Sequence, residues 1–368
     1  MPRSLPRCPP GFTDHIFTTA HGVNLPLRVW PPARGKSALA ADLTPSGRVP
    51  WLLWVHGGML SGLAGGYTCG KWTTPTAWVS RAFSDRGYAV ASVGYRLQPH
   101  ASLADMVGDT VAAAHWCRAN LPSLVGADPD GWAVGGASSG ATLAGMAAHI
   151  VQPPPKAFLN VYGLVDVANY RSEEAGRDAA DWPYLVASED ELAQYVADGL
   201  AHPHLAQVQN PWAEEMPPHV SLDEARHNLG LPDFTPTRDH LRRVDLYTYV
   251  AKHRNLIDII CRRDQYKDDE AGYRLHMENL SPHHVLHYKD TFPPTWFMHG
   301  TSDNIIPADQ SRRMADKLKE MGVATGEHWE EGAGHVYDFA FETPDDAGWK
   351  ENVEPAMDFI DSCVKGNR

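Results

Sequence analysis

Gly136-Ala137-Ser138-Ser139-Gly140 follows the short apolar run Trp132-Ala133-Val134 and opens into Ala141-Thr142-Leu143-Ala144-Gly145-Met146-Ala147. A strand that passes straight into a helix through a G-x-S-x-G pentapeptide sets its serine on a sharp turn, with Oγ exposed above the sheet and a helix N-terminus behind it. Glycine flanks the turn because the crowding leaves no room for a Cβ. Ser139 could head such a turn only if positions 137 and 141 were glycine, and both are alanine. Ser138 is therefore the candidate nucleophile. On these five residues alone, a purely structural strand-to-helix turn fits equally well.

Upstream, Trp51-Leu52-Leu53-Trp54-Val55 reads as a buried strand ending in His56-Gly57-Gly58-Met59. In acyl-transfer enzymes of the α/β type, one oxyanion donor is the backbone N–H after the nucleophile and the rest come from a glycine-rich loop after an earlier strand. Here those donors would be Ser139 and the loop Gly57, Gly58 and Met59. A plain strand-ending turn is the competing reading.

Downstream, the apolar run Thr295-Trp296-Phe297-Met298 leads into His299-Gly300-Thr301-Ser302-Asp303, which puts an acid on the loop past a strand end. Glu331-Gly332-Ala333-Gly334-His335 then sets a histidine in a glycine-flanked loop before the final helix. The chain order Ser138, Asp303, His335 is that of an α/β-hydrolase triad, not of the chymotrypsin or subtilisin arrangements. Asp309 is a weaker acid candidate, because Pro307 starts a helix and turns Asp309 onto its first turn. Asp338, three residues after His335, reads as a capping acid. His56 and His299 each follow a strand directly and read as side chains bracing loops beneath the site.

These pieces resemble the hormone-sensitive-lipase-like esterases among the α/β-hydrolases. The resemblance rests on His56-Gly57-Gly58, Tyr95-Arg96-Leu97 with Pro99, Gly136 to Gly140, His299-Gly300 with Asp303, and Gly334-His335, and so runs from residue 51 to 335. It departs from the family pattern where the third glycine of the oxyanion loop is Met59, the acid usual before the nucleophile is Ala137, and the alanine usual after it is Ser139. Backbone donors survive those changes, whereas the shape of the pocket and the substrate class do not carry over.

Hydrophobic residues make up 43% of the 368 and charged residues 21%, an ordinary soluble composition. A net charge of -13 argues against nucleic acid or an anionic membrane as partner, since both reward basic patches. Prolines interrupt the N-terminus where a signal peptide needs a continuous apolar core, and no run is long enough to span a bilayer, so the chain is expected to be cytoplasmic without stable membrane insertion. Five widely spaced cysteines suggest neither a disulfide framework nor a metal site.

Residues 14 to 20 and 23 to 30 read as a hairpin at the antiparallel edge of an otherwise parallel sheet. From Val55 onward strands and helices alternate, the pattern of a mostly parallel sheet covered on both faces. The long stretch from about Asp166 to Phe292 has helical but no alternating periodicity, and coil of that length is improbable within a compact domain. The resemblance implies a helical cap there. The expected organisation is an α/β-hydrolase core of residues 1–165 and 293–368 with a lid over the sheet's C-terminal edge formed by residues 166–292. The lid aromatics Trp182, Tyr184, Trp212, Tyr247 and Tyr249 could line an acyl pocket or simply pack the lid.

The function this implies is hydrolysis of a carboxylic ester of a hydrophobic small molecule through an acyl-serine, with no cofactor and no metal. Ser138 would be the nucleophile, His335 the general base and then acid, and Asp303 the orienting carboxylate. A transacylase or thioesterase would use the same triad. A non-catalytic binding module is the third reading, since the gibberellin receptor resembles the same family but has lost the triad histidine, which this chain keeps.

Overall fold

The structure, a computed structural model, describes residues 11–33, 42–58, 77–170, 180–208 and 238–366. Its first two strands, β1 (Thr13–Ala20) and β2 (Val23–Trp30), form the antiparallel hairpin around His21-Gly22. Five strands then run parallel through the centre: β3 (Val49–Val55), β4 (Ala89–Val93), β5 (Ala127–Ala137), β6 (Ala157–Val161) and β7 (Thr295–Gly300). With β8 (Thr325–Glu330) at the far edge, the sheet order is β1-β2-β4-β3-β5-β6-β7-β8, and only the β1–β2 and β2–β4 pairings are antiparallel. This is the α/β-hydrolase architecture expected from the alternating pattern.

Burial on both faces explains why the central strands read as continuous apolar runs. Their side chains alternate between two cores. Leu53, Val134, Phe158 and Phe297 point to the face covered by α2 (Leu103–Val125), α3 (Gly140–Ile150) and α9 (Asp309–Glu320), while Leu52, Trp54, Leu159 and Met298 point to the face covered by α1 (Ala77–Asp85) and α10 (Trp349–Val364). Helix α2 is bounded as its sequence dictates. Ser102 and Asp105 form a capping box at its start, and Gly126 ends it in the left-handed region at φ 73°.

Between β6 and β7 the described residues are helical. They include α4 (Glu189–Ala201), α5 (Arg238–His253), α6 (Leu256–Ile260), α7 (Glu270–Asn279) and α8 (Pro282–Val285). The buried Asp245 of α5 accepts the backbone N–H groups of Leu185, Val186 and Ala187, which locks α5 to the approach of α4. Arg243 reaches from α5 to the Gln98 carbonyl at 2.5 Å and to Gln207 Oε1 at 2.6 Å, tying the pair to the loop after β4. Farther along, α8 packs beside α3, where Pro282 fills the space left by Gly145. Among the described residues no helix is long and apolar enough to cross a membrane, and Cys117, Cys261 and Cys363 are free thiols. Cys8, Cys69, Met59, Pro75 and Trp212 lie outside the described residues.

Candidate active site

The pentapeptide forms the sharp turn its sequence requires. Ser138 takes φ 55°, a left-handed backbone that a non-glycine residue adopts only when its surroundings over-determine it. Those surroundings are close. Its N–H donates to the Val161 carbonyl at 2.9 Å, and its own carbonyl accepts from Ala141 and Leu164 at 3.1 Å each. A Cβ on Gly136 would lie 2.5 Å from the Gly140 carbonyl oxygen, and one on Gly140 would lie 2.3 Å from that of His56. Both glycines are thus fixed by backbone against backbone. Ser139 sits at the N-cap of α3, whose N-terminal dipole faces the turn.

The loop after β3 lies directly against this turn. A Cβ on Gly57 would meet the Ala137 carbonyl at 2.7 Å and Ser138 Cβ at 3.0 Å, and Gly58 takes φ 97°. His56 braces the loop from below: its ring stacks on Tyr95 at 4.4 Å, its Nδ1 bonds the Gly57 carbonyl at 2.8 Å, and its carbonyl accepts the Tyr95 hydroxyl. Burial lowers the His56 pKa to about 4, so the ring stays neutral.

Three residues far apart in the chain converge here. His335 Nε2 lies 3.0 Å from Ser138 Oγ, and His335 Nδ1 lies 2.7 Å from Asp303 Oδ2. The Asp303 carboxylate is held on its other side, where Oδ1 accepts the N–H groups of Ile305 and Ile306 at 2.9 Å each. His299 stands behind it, with Nε2 3.2 Å from Asp303 Oδ2 and 2.8 Å from the Ile306 carbonyl, and Nδ1 2.8 Å from Ser311 Oγ. Burial opposes ionisation of Asp303, but the hydrogen bonds from His299 and His335 outweigh it and hold the carboxyl well below the usual range. Asp303 is therefore ionised wherever an imidazole titrates. Asp309 lies in the first turn of α9, paired with Arg313 and exposed.

Asp338 is not a cap. It is fully buried on a short 3-10 turn (Tyr337–Ala340), where Oδ1 accepts the Tyr162 hydroxyl at 2.7 Å and Oδ2 accepts the Trp78 indole N–H at 2.8 Å. The Tyr162 ring packs edge-on against the His335 imidazole, with centroids 4.7 Å apart. Burial pushes the Asp338 carboxyl up to about 6 against the pull of its two donors. Its charge disfavours the folded state as pH rises from the ordinary carboxylate range through that value, at a cost of about 3 kcal/mol at neutral pH. The i, i+3 spacing from His335 is the only trace in the sequence, and it fits a capping role as well.

Among the described residues, one group of donors is spaced as metal ligands are: Asp166, His283 and His284. Its carboxylate is already filled. Asp166 Oδ1 accepts from the Asn169 N–H and lies 2.9 Å from His284 Nε2, while Oδ2 accepts from Asn169 Nδ2 and from the Arg313 guanidinium, both at 2.8 Å. Arg313 supplies the positive charge a metal would, so the group is an ion-paired anchor joining the loop after β6 to α8 and α9.

Comparison with known proteins bears on the fold. A family model described as the alpha/beta hydrolase fold matches residues 52–223, and one for the prolyl oligopeptidase family matches residues 244–367. A non-reducing polyketide synthase from Stachybotrys bisbyi is 24% identical over 360 residues, 94% of this chain but 14% of the synthase. The 5-methylorsellinic acid synthase of Aspergillus terreus is 26% identical over 92% of this chain and 13% of its own length. The chain thus spans about one seventh of the curated relatives it matches. Among solved structures, a thermophilic esterase from Thermogutta terrifontis superposes with a TM-score of 0.53 at 18% identity, covering 95% of this chain and 92% of that one. The same esterase phosphorylated by paraoxon matches with a TM-score of 0.53 at 17% identity, covering 95% and 94%. Sheet order, the serine turn after β5, the family model over residues 52–223 and the superposition on the esterase together show that this chain has the α/β-hydrolase fold.

Proposed function

We propose that the chain is a serine hydrolase that cleaves a carboxylic ester of a hydrophobic small molecule through an acyl-serine intermediate. The observation that carries this reading is the continuous Ser138–His335–Asp303 hydrogen-bond chain, with Ser138 on a strained turn at a helix N-terminus. A serine hydroxyl is a poor nucleophile at neutral pH and needs a base within hydrogen-bond reach, itself held in the right tautomer. Asp303 accepts a hydrogen bond from Nδ1–H and leaves Nε2 free to take the Ser138 proton as Oγ attacks the carbonyl carbon. The oxyanion is received by backbone N–H groups of Ser139 and of the Gly57–Met59 loop. His335 then returns the proton to the leaving alcohol, and water repeats the sequence to release the acid.

Gly57 tests the oxyanion assignment. With 2.7 Å between the position of its missing Cβ and the Ala137 carbonyl, Gly57→Ala must push the loop away from the turn. Turnover should fall by about 10² to 10³, the loss that follows removal of one oxyanion donor. KM and thermal stability should change little by comparison. Full activity in Gly57→Ala would place the donors elsewhere.

A thioesterase or transacylase reading is favoured by one observation, the similarity of nearly the whole chain to segments of polyketide synthases. Both readings share the acyl-serine and differ in leaving group or acceptor. A series of oxoesters and matched thioesters of graded acyl length, assayed with and without an alcohol acceptor, separates them. The expected result is faster cleavage of oxoesters, with kcat/KM rising as the acyl chain lengthens. Thioesters turning over faster at every length would transfer the proposal to the second reading.

The same series tests the lid. Among the lid aromatics, Tyr247 of α5 is within electrostatic reach of Tyr170, whose hydroxyl donates to the Ile305 carbonyl beside Asp303. We infer that α5 covers the acyl site from that side. Tyr247→Ala should lower the ratio of long-chain to short-chain rates about tenfold, while the rate on the smallest ester stays near wild type. A uniform loss across all esters would count against a lid that selects substrate.

A further inference from the structure

We propose that Asp338 is a positioning residue for the reaction: through Tyr162 it seats the His335 ring, and as a second carboxylate it favours the imidazolium that forms when His335 takes the Ser138 proton. The inference rests on the acyl-serine reading above and deepens it.

Three elements meet at this carboxylate. Trp78 comes from α1, Tyr162 from the end of β6, and Asp338 from the turn that follows His335, so its two oxygens tie the histidine loop to both the sheet and one flanking layer. Tyr162 is more than a donor. It takes φ 38°, its N–H donates to the Met298 carbonyl at 2.6 Å, and the preceding Val161 carbonyl accepts the Ser138 N–H. The same residue is therefore fixed to the acid-bearing strand and the nucleophile turn, and its ring forms one wall against the imidazole. Asp303 holds His335 by a hydrogen bond in the ring plane; Tyr162 restrains the ring by packing, and Asp338 fixes Tyr162.

Among the described residues, the charged and titratable groups around this arrangement are few. Asp303 with His299 behind it comes from the β7 loop, Tyr162 from β6, Tyr337 from the same turn as Asp338, and Glu330, held by His328 and Asn352, from the end of β8. Asp338 and Asp303 are the carboxylates whose charge acts on His335 among these pairs. A charge opposite in sign to the imidazolium favours it, so loss of the Asp338 charge must disfavour it.

Asp338→Asn is an isosteric test. The amide oxygen still accepts the Trp78 N–H, and the Tyr162 hydroxyl can turn to accept from the amide, so packing is kept while the charge is removed. The measurement is the pH profile of kcat and kcat/KM on one ester, beside fluorophosphonate labelling of the wild type. Half-maximal kcat/KM should move to lower pH by roughly half a unit to one unit, with kcat about tenfold lower, KM nearly unchanged, and thermal stability at neutral pH no lower than wild type. Tyr162→Phe, which keeps the ring and removes only the donor, should also lower kcat severalfold with KM unchanged. A labelled wild type whose Asp338→Asn variant keeps the original midpoint, whether or not its rate falls uniformly, overturns the inference and leaves Asp338 a structural residue. If Asp338→Asn does not fold, wild-type kcat in Tyr162→Phe overturns it instead. An unlabelled wild type sinks the acyl-serine reading on which it rests.

Discussion

Replacing Ser138 by alanine should reduce ester turnover by about 10⁶, and His335→Ala should cost nearly as much, because triad members act as a unit. The structure supplies the reason in distances. His335 Nε2 has Ser138 Oγ at 3.0 Å, so removal of either partner leaves the other with nothing to exchange a proton with. The double variant should be scarcely worse than either single one. Both proteins should fold normally, since the turn is held by Gly136, Gly140 and backbone bonds rather than by the serine hydroxyl. Rates measured on one ester under steady-state conditions check this. Additive losses, or more than about a thousandth of wild-type turnover in either variant, would show that the two side chains do not work together.

Asp303→Asn should cost roughly 10⁴ in turnover, and the loop around it specifies how. Oδ1 of Asp303 accepts the Ile305 and Ile306 N–H groups, so an asparagine amide must place its oxygen there and turn its NH₂ toward His335. The imidazole would then have to accept at Nδ1 and carry its proton on Nε2, the nitrogen that faces Ser138. A base in that tautomer cannot take the serine proton. Asp303→Asn should consequently lower kcat with KM nearly constant, and the loop should stay ordered because its backbone bonds survive. A loss below about tenfold would mean that another group fixes the tautomer.

The parts of this fold that could be read from sequence are those where one physical constraint dominates. Val55, Val134 and Phe158 sit in strands buried on both faces, so their runs are continuous and easily seen. Strand β8 gives no such signal: Thr-Gly-Glu-His-Trp-Glu lies half-buried at the sheet edge and carries no apolar run. Strand β5 begins at Ala127, well before the apolar Trp132, because Ala127 pairs with Val49 while the polar Asp128 to Asp130 fall in the register shift between that pair and Trp51–Trp132. His299 and Gly300 belong to β7 itself, which places Asp303 three residues past the strand end. For the site, G-x-S-x-G and the glycine-flanked His335 are legible because backbone crowding dictates the residue types. Tyr162 and Asp338 are not. Their bond spans 176 positions, and neither residue type at its position is required by local geometry.

The most direct test of the central claim is reaction of the folded chain with a fluorophosphonate, followed by mapping of the modified residue. An activated serine attacks phosphorus as it attacks a carbonyl, and the tetrahedral adduct needs nucleophile, base and oxyanion hole together. The expected result is one label per chain at Ser138, absent in Ser138→Ala and nearly absent in His335→Ala. A folded chain that stays unlabelled, or that is labelled at Ser139 or elsewhere with Ser138 unmodified, would contradict it.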